Sequence, residues 1–197
     1  MTMRIQRATW AIVPFLGLAL PGLASAAAEP RYTYAEVGYV NTDFDNYGDG
    51  DGFQLGGSYA LTRNVHLLAG YESTSLDHDA DYNAFNIGAG YNYALRPGLD
   101  LVGRARFISA SLDQPGDDDD TGFSLEVLGR VMINPQLELN GGILYEDVFD
   151  DNTSIEVGAL YEVANNVAIG AGLALSDDVT RFNVGVRFYF APPAQLR

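Results

Sequence analysis

Residues 180–190 read T-R-F-N-V-G-V-R-F-Y-F, and the reading of this stretch decides the fold. Phe182, Val184, Val186, Phe188 and Phe190 fall on one face, and Arg181, Asn183, Gly185, Arg187 and Tyr189 on the other. A period of two marks a β-strand, whose side chains alternate between faces. An apolar face with aromatics at both ends, opposed by arginines, suits a strand standing between hydrocarbon and a polar interior.

The same period runs back through the chain. Odd-numbered residues carry the apolar face in 52–61 (Phe53, Leu55, Tyr59), 65–75 (Val65, Leu67, Tyr71) and 83–95 (Phe85, Ile87, Tyr91, Tyr93). The parity holds in 32–41, 99–111, 123–133, 137–145, 155–163 and 167–175, and only the last segment has its apolar face on even numbers. Short turns at 62–64, 96–98, 134–136 and 164–166 alternate with acidic connections at 43–51, 76–81, 113–121, 148–152 and 176–179. Segments of this length cross a bilayer when tilted. Short turns on one rim and longer loops on the other complete the pattern of an all-β, transmembrane, antiparallel up-and-down β-barrel. Ten strands are expected, with eight as the alternative. Outward aromatics then form two girdles, with Tyr39, Phe53, Tyr71, Phe85, Phe107, Phe123, Tyr145 and Phe182 near the acidic loops. Tyr59, Tyr91, Tyr93, Tyr161, Phe188 and Phe190 lie near the short turns.

The last strand also resembles the C-terminal assembly signal of bacterial outer-membrane barrels, through Asn183, Gly185, Phe188 and Phe190. In pattern the whole mature chain resembles the small outer-membrane barrel family typified by the OmpA membrane domain and OmpX. That resemblance implies a Gram-negative outer membrane and contact with its lipids, lipopolysaccharide and the barrel assembly machinery. It also implies a role in envelope integrity, adhesion or surface interaction, and in some members slow passage of small solutes. Pro192 and Pro193 cannot continue a ladder, so residues 191–197 are read as a short periplasmic tail.

The N-terminus carries Arg4 and Arg7, an apolar run over 8–20, Pro21-Gly22 and Ala24-Ser25-Ala26, the three-part design of a secretory signal peptide. The organisation expected is a leader over 1–26 and a barrel over 27–190. Cleavage after Ala26 leaves nine arginines against 26 acidic residues, a net charge of −17. Such acidity argues against nucleic acid as a partner. The chain has no cysteine and no lysine, which excludes thiolate metal sites and a lipoprotein anchor.

The charges are sorted. Of eighteen aspartates only Asp100 lies away from the acidic connections and their edges. Glu36, Glu72, Glu126, Glu138, Glu146, Glu156 and Glu162 have inward parity, as do Arg104, Arg106, Arg130, Arg181 and Arg187. An arginine on the lipid face costs about 2–4 kcal/mol at the midplane, so a barrel must sort its charges in this way. Inside a narrow lumen they must also pair. Folding the hairpins about their loops sets Arg106 opposite Glu126, Arg130 near Glu138 and Arg187 near Glu36. It also sets Glu146 against Glu156, a like-charge pair that calls for Arg181 or a divalent ion.

The function expected is a salt-bridged, largely filled barrel with acidic surface loops, acting in envelope structure or surface interaction. The alternative is a narrow cation-preferring pore. Asp43, Asp45, Asp49 and Asp51 are candidate loop sites for loosely held Ca²⁺ or Mg²⁺, although Tyr47 and Gln54 stand where an EF-hand needs oxygen ligands. No firm metal site, cofactor or catalytic grouping is expected. His66 reads as a packed lumen residue. His78 lies between Asp77 and Asp79 on connections too short to wall a cleft.

Overall fold

The computed structural model describes residues 28–44, 48–76, 80–113, 118–177 and 179–190. The expected leader and its cleavage point, the tail 191–197, Asp45 and His78 lie outside the described residues. Ten strands follow one another as β1 (Tyr34–Phe44), β2 (Gly48–Ala60), β3 (Val65–Leu76), β4 (Ala80–Arg96) and β5 (Leu99–Asp113). Then come β6 (Asp118–Met132), β7 (Leu137–Val148), β8 (Asp150–Ala164), β9 (Val167–Leu175) and β10 (Val179–Tyr189). Each strand pairs antiparallel with its neighbour in sequence and β10 returns to β1. The ten-strand expectation is met. Closure leaves no strand edge unpaired, as hydrocarbon requires.

The parity is as read from the sequence. Leu55, Ile87, Tyr91, Phe107, Val127, Ile143 and Val157 stand about half exposed on the outer surface. In β10 the exposed apolar residues are instead the even-numbered Phe182, Val184 and Phe188. Accordingly β10 pairs odd with even on both sides, Val184↔Ala171 against β9 and Val186↔Val37 against β1. Followed once round the barrel, the pair registers are displaced by about twelve residues on return to β1. For ten strands at ordinary spacing, that stagger tilts them by about 40° and sets a backbone radius of about 10 Å. A lumen of that width is filled by long side chains meeting from opposite walls.

The turn end is as expected, with Pro97-Gly98 joining β4 to β5 and Asn165-Asn166 joining β8 to β9. Gly98 has φ 77°, which the second central position of such a Pro-Gly turn demands. Two corrections concern the strand ends. The acidic stretches read as loops are largely ladder: β4 runs 17 residues, and Asp118 and Asp150 begin β6 and β8. The ladder satisfies backbone groups wherever it continues, and the Asp119, Asp150 and Asp151 side chains stand in water on its extension. At the other end, β1 starts at Tyr34 rather than at residue 32. The residues before it leave the wall and cross the mouth of the barrel.

Candidate functional site in the lumen

The inward faces of the strands bring five arginines into the lumen, and each of them finds a carboxylate. Glu36 and Arg187 are direct ladder partners across the β1–β10 seam. Arg187 gives Nε and Nη2 hydrogen bonds of 2.8 and 2.6 Å to Glu36 Oε2 and lies 3.9 Å over the Tyr34 ring. On β5 and β6 the direct partner of Glu126 is Arg104, not Arg106, which faces Ser124. Arg104 Nη1 donates to both carboxylate oxygens at 3.2 and 3.3 Å, while Arg106 reaches along the strand to Oε2 at 2.8 Å. Arg130 and Glu138 sit one ladder step off, joined by a two-point fork of 2.7 and 2.8 Å. At 2% and 4% exposure they are the most buried ion pair among the described residues. That geometry suits a guanidinium and would not suit an ammonium, consistent with a chain free of lysine.

Arg181 pairs across the lumen with Glu72 of β3, and Glu162 pairs with Arg31. The expected meeting of Glu146, Glu156 and Arg181 does not occur. The β7–β8 hairpin turns about Phe149, at φ 59°, so Glu146 faces Asn152 and Glu156 faces Gly142. The tighter turn slides the ladder by four residues and separates the like charges. Among the described residues neither glutamate takes part in an ion pair, and both line the cavity described below.

The short-turn mouth holds a cluster that strand patterning did not reveal. Arg31 bonds Asn166 at 3.0 Å, and its guanidinium lies 3.6 Å from the Tyr189 ring centre. Its carbonyl accepts from Arg130 Nη1 and Nη2 at 3.2 and 3.3 Å. The Tyr32 hydroxyl donates to Asp100 at 2.7 Å, its ring stacks on His66 at 4.8 Å, and Arg130 lies 4.5 Å above it. Burial, with Asp100 adding to it, pushes that hydroxyl above the ordinary phenol value, so it remains a donor. Asp100, the one aspartate far from the acidic rim, was the available signal: a buried carboxylate at a turn end needs a donor, and its direct ladder partner, Arg130, forks instead onto Glu138. His66, wholly buried, is packed against Tyr32.

Above this cluster a cavity of about 380 Å³ runs up the lumen. Its walls extend from Tyr34 and Arg130 to Ser176 and Val179 at the acidic rim, and include Glu146, Glu156, Asn140 and Arg106. Tyr32, His66 and Asp100 are not part of its lining. Of the candidate loop sites, Asp43 and Asp49 face each other on β1 and β2, and Asp51 faces Asn41. No group of three or more acidic or histidine side chains suited to a metal ion occurs among the described residues. In the assembly segment Asn183 and Gly185 point inward, whereas Phe188 and Phe190 are outward at 44% and 56% exposure. A Cβ on Gly185 would come 2.5 Å from the Val37 carbonyl, so glycine permits close approach at the closing seam.

Residues 11–190 match the family described as outer membrane protein beta-barrel domain. Among solved structures, the chain is similar to the β domain of the Bordetella autotransporter BrkA at 13% identity, covering 81% of this chain and 99% of that one, with a TM-score of 0.51. It is similar to the KdgM porin at 13% identity, 79% and 99% coverage and a TM-score of 0.48. It is also similar to Ail, the attachment invasion locus protein of Yersinia pestis, at 14% identity, 80% and 97% coverage and a TM-score of 0.43. Identities this low show the fold alone. No curated protein matches the chain.

Proposed function

Because the chain belongs to the outer membrane protein β-barrel domain family and lies in the cell outer membrane, we propose that it is an ion-pair-braced, largely filled barrel serving envelope structure or surface interaction. One observation carries this reading. Ten of the twelve lumen charges named from the sequence are in ion pairs, and the Arg181–Glu72 pair ties walls on different sides of the lumen. Charges so matched brace a barrel and leave little to attract a permeating ion. The acidic rim, with Asp81, Asp113, Asp119, Asp147 and Asp151 exposed, is the surface offered to the exterior. Its partners would be cations, lipopolysaccharide or a cationic host surface, with Ca²⁺ or Mg²⁺ held loosely. The barrel assembly machinery would meet Asn183, Gly185, Phe188 and Phe190. No catalytic step belongs to this reading.

The test is single-channel recording of the purified protein in planar bilayers. A filled barrel is closed for most of the record. Steady conductance that changes on Arg106→Gln would replace this reading with a pore. For the rim, a calcium titration that leaves the thermal midpoint unmoved would remove the divalent ions from the account.

A further inference from the structure

We propose that residues 31–33 are a stopper for the lumen, and that displacing them opens a narrow passage for small cations between the cavity and the short-turn mouth. This goes beyond the braced barrel proposed above and rests on its sealed lumen.

The three residues touch most of the wall. Arg31 contacts β8 through Glu162, the β8–β9 turn through Asn166, β10 through Tyr189 and β6 through Arg130. Tyr32 meets β3 at His66, β5 at Asp100 and Val102, and β6 at Leu128 and Arg130. Its carbonyl accepts from Ser58 of β2 at 2.7 Å. Thr33 takes Ala60 N–H on its hydroxyl at 3.2 Å and Phe190 N–H on its carbonyl at 3.1 Å. Three consecutive residues outside the ladder thus span six of the ten strands, with Tyr32 8% and Thr33 7% exposed. A chain end that merely trailed from β1 would be solvated, as termini ordinarily are.

The segment closes the lumen without contributing to the wall. No strand pair includes residues 31–33, so lifting them out breaks the Thr33–Phe190 backbone bond but unpairs none of the ten strands. The cavity ends above Tyr32 and reaches the acidic rim at its other end, so this layer is what stands between the cavity and the mouth. The hold is uneven. Tyr32 and Asp100 form a buried charge-assisted bond, whereas Arg31 and Glu162 are 38% and 25% exposed, a pair of the weak, solvent-screened kind. Arg130 keeps its Glu138 fork if the segment leaves, so release strands no buried arginine. The selectivity follows from the lining: Glu146 and Glu156 face the cavity outside every ion pair among the described residues, a negative excess that admits cations and repels anions.

Single-channel recording in KCl on the full mature chain tests this, with heat-shifted gel mobility confirming a folded barrel. The native protein should show rare, brief openings. Tyr32→Ala and Arg31→Ala should each raise the open fraction about tenfold or more, with potassium passing in preference to chloride. Because the chain has no cysteine, Arg31→Cys with Glu162→Cys gives a clean crosslink. Oxidation should abolish the openings and reductant restore them. Folded Tyr32→Ala and Arg31→Ala variants that keep the native open fraction, or a crosslink that leaves openings unaltered, would overturn the stopper while leaving the braced barrel standing. A native protein that conducts steadily would overturn both.

Discussion

Replacing Arg130 with methionine measures how far the barrel depends on its lumen pairs. Arg130 and Glu138 are 2% and 4% exposed and meet through bonds of 2.7 and 2.8 Å. With charge centres near 4 Å and an effective dielectric of about 20, their attraction is about 4 kcal/mol. Desolvation of two ions offsets much of that, so the pair as a whole adds little over an apolar pair of similar volume. Removing one partner is a different matter, because Glu138 is then a buried charge with no counter-ion, at a cost of about 3–5 kcal/mol. Urea unfolding of the refolded barrel in phospholipid vesicles, followed by far-ultraviolet circular dichroism, would read this out. With a slope of about 2 kcal/mol per molar, the midpoint should fall by about 1.5–2.5 M for Arg130→Met. The half-exposed Arg31 supplies the control: Arg31→Ala should cost about 0–1 kcal/mol. The double variant Arg130→Met/Glu138→Leu should recover most of the loss. If the single variant stays within about 1 kcal/mol of native, or the double is worse than the sum of the singles, the argument from buried charge is refuted.

Other outcomes follow from geometry at single positions. A Cβ on Gly142 would sit 2.3 Å from the Val127 carbonyl, whereas one on Gly103 meets nothing within 4 Å. Gly142→Ala should therefore lower the urea midpoint by about 1–3 kcal/mol equivalent, and Gly103→Ala should leave it unmoved. Phe149 holds φ 59° with its ring partly exposed, so Phe149→Gly should stabilise by about 1 kcal/mol in the same assay. Glu146→Gln with Glu156→Gln, made in the Tyr32→Ala background, should lower the potassium-over-chloride preference read from reversal potentials. An unchanged preference would place selectivity elsewhere. Phe190→Ala should slow membrane insertion in a folding assay with purified assembly machinery, and insertion at the native rate would dismiss the C-terminal segment as a signal.

The strand count, parity and turn rims were legible because each is local: a period of two survives in ten residues, and a lipid face tolerates few exceptions. The pairs Arg130–Glu138 and Arg187–Glu36 were also legible, since they lie at or beside ladder partners across a short turn or the closing seam. Glu146 and Glu156 were misplaced because a hairpin's register depends on one backbone angle, and nothing about phenylalanine advertises a left-handed conformation at Phe149. Arg181–Glu72 was missed for another reason. It spans the lumen, and which opposite walls meet depends on the stagger of the whole barrel. The Arg31–Thr33 segment was hidden by its own alternation, because Tyr32 and Tyr34 fit the inward face of a strand that had already begun turning away.

The reversed parity of β10 carries a consequence for closure. A circuit of paired strands returns to its own facing only if pairs that join odd to even residues occur an even number of times. Eight of the ten pairings keep parity apart from the bulges at Ala94/Arg96 and Glu162/Ala164, and β10 supplies the two that do not, against β9 and β1. The reset in the turn before β10 is therefore matched by the seam that follows it. This double change brings Arg181 and Arg187, on odd numbers, to the same interior as Glu72 and Glu36, on even numbers. Had β10 kept the parity of its neighbours, both arginines would face lipid at up to about 2–4 kcal/mol each, and Phe182, Phe188 and Phe190 would crowd the lumen. The strand that completes the barrel is thus one whose wrong register is costly, and its aromatic face specifies the closing alignment from both sides.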